Sequence, residues 1–143
     1  MHSRIYFFKS GVHFRLLNKV AIANWIKAVI ANSNKSLGTI NFIFCSDNFL
    51  LGINKQYLKH DYFTDIISFD YSEGRIINGE IYISIDRIKE NAELEGERFQ
   101  VELSRVIIHG ILHLLGHSDK TTLQKKQMRK KEDACLSLLS SST

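Results

Sequence analysis

Proline is absent from the 143 residues, so reversals of the chain fall to glycine, asparagine, aspartate and serine. Cysteine is nearly absent too. Cys45 and Cys135 stand far apart without C-x-x-C spacing, and are expected as two buried thiols in a reducing compartment. Long apolar runs are missing as well: Ile5 to Phe8 breaks at Lys9 and Gly11. That is far short of the ~20 residues of a membrane span, and it lacks a signal peptide's cleavage region. These absences predict a cytoplasmic protein with no membrane association. With no repeat and no low-complexity linker, residues 1–143 are expected to form a single domain.

What is present is an ordinary globular composition, 44% apolar and 24% charged, which excludes disorder, collagen and coiled coil. A domain of this length buries about two thirds of its unfolded surface. It needs no metal staple to fold, so a metal held here serves chemistry. Lys and Arg number 19 against 15 Asp and Glu, a net charge of +4. This mild basicity suits a polyanionic partner without demanding one.

Periodicity places the elements. Ile5–Phe8 and Val12–Phe14 read as short extended segments around a Lys9-Ser10-Gly11 turn. From Asn18, a plausible N-cap, apolar residues recur at helical spacing through Ile30. Thr39–Cys45 is a strand by its β-branched and aromatic content. Ser46 or Asp47 caps a helix to about Tyr57, and Leu58–Asp65 is a polar, aromatic loop. Ile66–Asp70 is a strand, as is Glu80–Ser84, reached through Asn78-Gly79. Ser84 or Asp86 caps a short helix closed by Glu95-Gly96. Phe99–Leu115 is a long helix stopped by Gly116. Thr121 or Thr122 opens a last helix through Leu139, with Ser140–Thr143 as a frayed tail. The expected class is α+β, a small mixed sheet covered by helices.

The string HGILHLLGHSD, residues 109–119, concentrates the chemistry. His109 and His113 are four apart, so one helical face carries both rings. Gly116 lets a third donor turn back towards them. Two imidazoles plus one further ligand leave an open position, as catalytic zinc requires. This predicts a metal site at the C-terminal end of the long helix. Ligand chemistry alone favours His117 as the third donor, with Asp119 the alternative. A zinc protease would carry a glutamate after the first histidine as its base, and here that residue is Gly110. Glu102, seven residues before His109, lies ~10 Å away along the axis, which suits a cap or a supporting role better than ligation.

HGILHLLGHSD resembles HGxLHLxGYDH, the signature of the YbeY family of bacterial metal-dependent endoribonucleases. The stretch INKQYLKHDYFTDIISFDY, residues 53–71, is similar to the family segment that runs from an LN start to TDVLSF. NGEIYIS and KENAELEG follow in the family's order. The resemblance implies His109 and His113 as the first two ligands and places the family's third histidine on Asp119, its tyrosine on His117. Asp119 therefore displaces His117 as the expected third ligand. Two histidines and one aspartate then hold one Zn2+ per chain, with harder ions more acceptable than at an all-imidazole site.

The family arginine after the LN start falls on Leu58. The cation facing phosphate is then expected from Lys59, or from Arg105 one helical turn before His109. The resemblance also marks Asp65, in the Thr64-Asp65 turn near Ser68, as a site residue. The basic run Lys125, Lys126, Arg129, Lys130 and Lys131 is a solvated helix face or a contact for RNA phosphates. By resemblance, the expected activity is single-strand-specific, zinc-dependent endoribonuclease action in maturation of the 3′ end of small-subunit ribosomal RNA and in ribosome quality control. Ribosomal RNA and the small subunit are the partners. The nucleophile is water at the metal or the RNA's own 2′-hydroxyl. The rival readings are a ribosome-associated RNA-binding module with a structural metal, and a metal-dependent hydrolase of a small substrate.

Overall fold

The computed structural model describes residues 4–142. The elements follow in the order β1 (Arg4–Ser10), α1 (Lys19–Asn32), β2 (Ser36–Cys45), α2 (Asp47–Leu58), β3 (Ile66–Asp70), β4 (Ile76–Ser84), α3 (Ile85–Glu95), α4 (Phe99–Leu114) and α5 (Thr122–Ser142). The sheet order is β1-β2-β4-β3. β1, β2 and β4 run parallel, and β3 lines the edge of β4 antiparallel to it. This is the expected mixed sheet with helices against it.

Alternation along the strands separates two cores. Ile40, Phe42 and Phe44 of β2 and Ile77, Ile81 and Ile83 of β4 are buried with the apolar faces of α1 and α4. On the opposite face, α2 sets Leu50 and Ile53 over Cys45, Ile67, Phe69 and Tyr82. β3 therefore sends Ile66 towards α4 and Ile67 towards α2. α5 closes the larger core with Met128 and Cys135, and the Trp25 indole on α1 donates to the Cys135 carbonyl over 2.7 Å. Both cysteines are free, buried thiols. Burial, then the charges of Asp47 and Asp86, pushes the Cys45 thiol up to about 12. Among the described residues no helix is long and apolar enough to cross a membrane.

Several boundaries differ from expectation for local reasons. β1 continues through Lys9 and Ser10, because Lys9 and Ser10 pair with Phe44 and Cys45 of β2. Val12–Phe14 forms no strand; Phe14 instead packs its ring 5.0 Å from Phe44. Asn18 stands at the α1 N-cap in the left-handed region (φ 58°) without a side-chain cap bond. Asn78-Gly79 lies inside β4 and makes no turn. The Asn78 carboxamide accepts from the Thr39 amide at 2.8 Å, where the β2–β4 register shifts between Leu37 and Ile40. The reversal falls earlier, at Glu73–Ile76 around Gly74 (φ 59°). α4 stops at Leu114, and α5 runs on through Ser142 where a frayed tail was expected; Thr143, the end of that tail, lies outside the described residues.

α4 lies close on β4 because residue 79 has no side chain. A Cβ there would stand 2.9 Å from the Phe69 carbonyl oxygen and 2.9 Å from Leu114 Cδ1. The carbonyl belongs to the strand ladder and cannot yield cheaply. Gly79→Ala should therefore lower unfolding free energy by about 1–3 kcal/mol, read from the midpoint of urea denaturation at unchanged slope.

Candidate metal centre

The inward stripe of α4 is buried at Leu103, Val106, Ile107, Gly110, Ile111 and Leu114. This leaves Arg105, His109 and His113, spaced four apart, along the helix margin. A Cβ on Gly110 would already meet Ile66 and Ile81 side-chain carbons at 3.0 and 3.1 Å. Position 110 thus faces the sheet, and no glutamate base of the protease kind could stand there.

The helix ends as its glycine predicts. Gly116 adopts φ 97°, its amide donates to the His113 carbonyl at 2.9 Å, and the His117 amide donates to the Leu112 carbonyl at 3.0 Å. The returning chain brings Asp119 over the two rings. The His109 and His113 Nε2 atoms are 3.0 Å apart. Asp119 Oδ2 lies 3.3 Å from His109 Nε2, and Oδ1 lies 3.3 Å from His113 Nε2. Among the described residues, His109, His113 and Asp119 are the group of such donors close enough to share an ion; His117 stands outside it. The burial of His117 and the charges of Lys131 and His113 lower its pKa.

The protonation pattern explains why these atoms converge. His109 Nδ1 is 2.6 Å from Glu132 Oε2, a carboxylate that can only accept, so the ring proton belongs on Nδ1 and Nε2 carries a lone pair. That lone pair faces the Asp119 carboxylate, also an acceptor. A cation between them removes the repulsion. Tetrahedral zinc with bonds of 2.0–2.1 Å has ligand-to-ligand edges of ~3.3 Å, close to the 3.0 Å between the two nitrogens and the 3.3 Å from each nitrogen to its nearer Asp119 oxygen. The donor set thus fits a small divalent ion.

Sequence reasoning misses Glu132, which directly follows the basic run of α5. Its signal was periodicity: Met128, Glu132 and Cys135 form the buried stripe of that helix, and a carboxylate on such a stripe calls for partners. It has them. Arg105 donates to Glu132 Oε1 at 3.1 Å and to Asp133 Oδ1 at 2.8 Å. Burial pulls the His109 pKa down, but the Glu132 hydrogen bond and charge, with Asp119 and Asp65, carry it above the ordinary value.

Two clefts meet at this cluster, sharing Asp65, Ile66, His109 and Asp119. One, of about 440 Å3, continues past Thr64, Ser68 and Asp70 to His113. The other, of about 310 Å3, continues past Asn91, Glu95, Glu102, Arg105, Arg129 and Glu132. A larger groove of about 1180 Å3 beside α1 holds none of the site residues. Asp65 has its pKa raised by burial, against the opposing pull of His109, and Asn91 donates to it at 3.4 Å. Glu102 is 4% exposed, and its Oε1 has no hydrogen-bond partner. Burial, then Glu95 and Asp65, raises its pKa to about 7.

The expected phosphate-facing cations are placed differently. Lys59 stands at the exposed end of α2 in the left-handed region (φ 55°) and lines neither cleft. The Arg105 guanidinium borders the second cleft, yet two carboxylates already engage it. Of the basic run, Arg129 reaches that cleft and stands 4.0 Å from the Glu95 carboxylate.

Comparison with known proteins places this arrangement. Residues 12–140 match the family model of Endoribonuclease YbeY. The curated Endoribonuclease YbeY of Flavobacterium psychrophilum is 50% identical over 92% of this chain and 94% of its own length. That of Cytophaga hutchinsonii is 48% identical over 94% of both. The solution structure of a Thermotoga maritima protein superposes with a TM-score of 0.64 at 23% identity, covering 96% of this chain and 93% of that one, a likeness of fold. With about half of the aligned residues identical along nearly the whole length, this chain belongs to the YbeY family of endoribonucleases, enzymes that cut phosphodiester bonds.

Proposed function

We propose that this protein is a zinc-dependent endoribonuclease that cuts single-stranded RNA, with His109, His113 and Asp119 as the ligands of one ion, and that it trims the 3′ end of small-subunit ribosomal RNA in the cytoplasm as part of ribosome maturation and quality control. The convergence of the two imidazole Nε2 atoms and the Asp119 carboxylate, with the His109 Nδ1 proton turned away to Glu132, carries the reading. A divalent ion bound there supplies Lewis-acid polarisation of a phosphodiester oxygen.

The chain's own residues do the rest. Glu132 holds the His109 proton on Nδ1 and fixes the ring. Arg105 is a positioning residue: ion-paired to Glu132 and Asp133, it keeps the Glu132 carboxylate in place against His109 and acts on the reaction only through that ring. Asp65 borders both clefts at their junction, where it can accept from a hydroxyl of the sugar next to the cut. Lys59, outside the clefts, meets a neighbouring phosphate and not the scissile one. The exposed cations of α5 extend the electrostatic track.

The site's exposure favours catalysis over a structural metal. Structural zinc is closed off by four protein ligands. Here the side chains of His109, His113 and Asp119 are 21%, 33% and 34% exposed, and the core is filled without them. The test is cleavage of a single-stranded ribosomal RNA 3′-end fragment by purified protein. Activity should disappear with a chelator and return with zinc. Metal-replete protein that leaves this RNA intact would sink the reading.

A further inference from the structure

The loop between α2 and β3 carries an exposed aromatic surface that the metal centre does not use. Tyr62 and Phe63 are 56% and 49% exposed, and Tyr57, in the last turn of α2 beside the loop, is 61% exposed. The loop is nevertheless fastened from below. Asn54, itself buried, donates through its carboxamide to the Tyr62 carbonyl at 2.9 Å, and its own carbonyl accepts from the His60 amide at 3.1 Å. The rings are set as well. Tyr62 lies against His60 with centroids 5.2 Å apart. The Arg87 guanidinium stands 5.4 Å from the Phe63 centroid, held there by Asp47 at 2.8 Å. At its far end the loop passes into Thr64 and Asp65, which line the cleft at His109, His113 and Asp119. There the Asp65 carbonyl accepts from the Ser84 amide at 2.9 Å.

We propose that Lys59–Phe63 is a stacking platform for unpaired bases of the RNA strand whose scissile phosphodiester lies at the His–Asp cluster, Tyr62 and Phe63 offering the ring faces. This rests on the nuclease reading above. Base-on-ring stacking is tolerant of sequence, since every base has a π face, and it is closed to a duplex, whose bases are covered by their neighbours. A pre-fastened loop loses little further freedom when a base arrives. The exposed Lys59 ammonium beside the rings attracts the phosphates of the same strand. Selectivity for single strands is thereby placed in this loop and not in the metal centre.

The test uses full-length, zinc-loaded protein and an uncleavable 2′-O-methyl phosphorothioate oligonucleotide containing 2-aminopurine, single-stranded or annealed to its complement. Binding of the single strand to the native protein should quench 2-aminopurine. Tyr62→Ala with Phe63→Ala should weaken single-strand binding roughly tenfold or more, abolish the quench and leave duplex affinity and the salt slope alone. Tyr62→Phe should restore both affinity and quench, whereas Tyr62→Leu should not. Equal weakening towards duplex and single strand would overturn the platform. So would unchanged single-strand affinity with the quench intact, which would assign the rings to a protein partner. If native protein neither binds nor cuts RNA, the nuclease reading falls and takes the platform with it. If native protein does both and the variants match it, the platform alone falls. Tyr62→Ala by itself, at a residue 56% exposed, serves should the double variant unfold.

Discussion

Asp119→Ala protein should unfold as cooperatively as the native chain and yet come through gel filtration without its metal, whereas His117→Ala should keep it. The contrast follows from geometry. Asp119 offers oxygens 3.3 Å from both imidazole nitrogens, while His117 lies outside the group that could share an ion. Removing a direct ligand should cost more than the ~10–100-fold typical of a supporting residue, and that range is what Glu132→Gln should show. Competition against a chromogenic chelator measures all three. Asp119→His, which installs an imidazole where the family signature has one, should bind zinc more tightly than the native protein. A His117→Ala variant that loses its metal while Asp119→Ala retains it would reverse the ligand assignment.

Glu102→Gln should make the protein more stable at neutral and alkaline pH. The native carboxyl titrates at about 7 against 4.5 for an unperturbed group, because burial, then Glu95 and Asp65, opposes its charge. Between those values the folded state holds a proton that the unfolded chain releases. The stability that Glu102 contributes is therefore fully present below pH 4.5 and is lost as pH rises through about 7, by up to ~3 kcal/mol. Glutamine has the same shape and no charge to bury, so this decline should vanish from its profile. Urea midpoints of both proteins at about pH 5 and about pH 8 decide the matter. Parallel profiles would show that Glu102 is not strained by its surroundings.

Legibility differed with the range of the forces involved. Local signals placed most elements: Ser46 accepts from the Phe49 amide and Ser84 from the Arg87 amide, the caps foreseen for α2 and α3, and Ile66–Asp70 needed no adjustment. The pairing of His109 with His113 was readable because four residues make one turn. The placing of Asp119 came from the family signature, since ligand chemistry alone had preferred His117. What could not be read was long-range. Asn78-Gly79 has the composition of a turn, but β2 recruits it into the sheet. The ion pairs of Arg105 with Glu132 and Asp133, 27 and 28 residues away, leave no local trace. Glu132 is masked by the lysines that precede it. Only packing of α5 against α4 turns that residue towards the histidine.

The docking of α5 has one more consequence. The chain has a single tryptophan, and its indole donates to the Cys135 carbonyl, one turn beyond the glutamate that steadies His109. An ultraviolet emission spectrum is thus a built-in gauge of whether the C-terminal helix is seated. Its colour and intensity should shift whenever that helix lifts and the imidazole loses its brace.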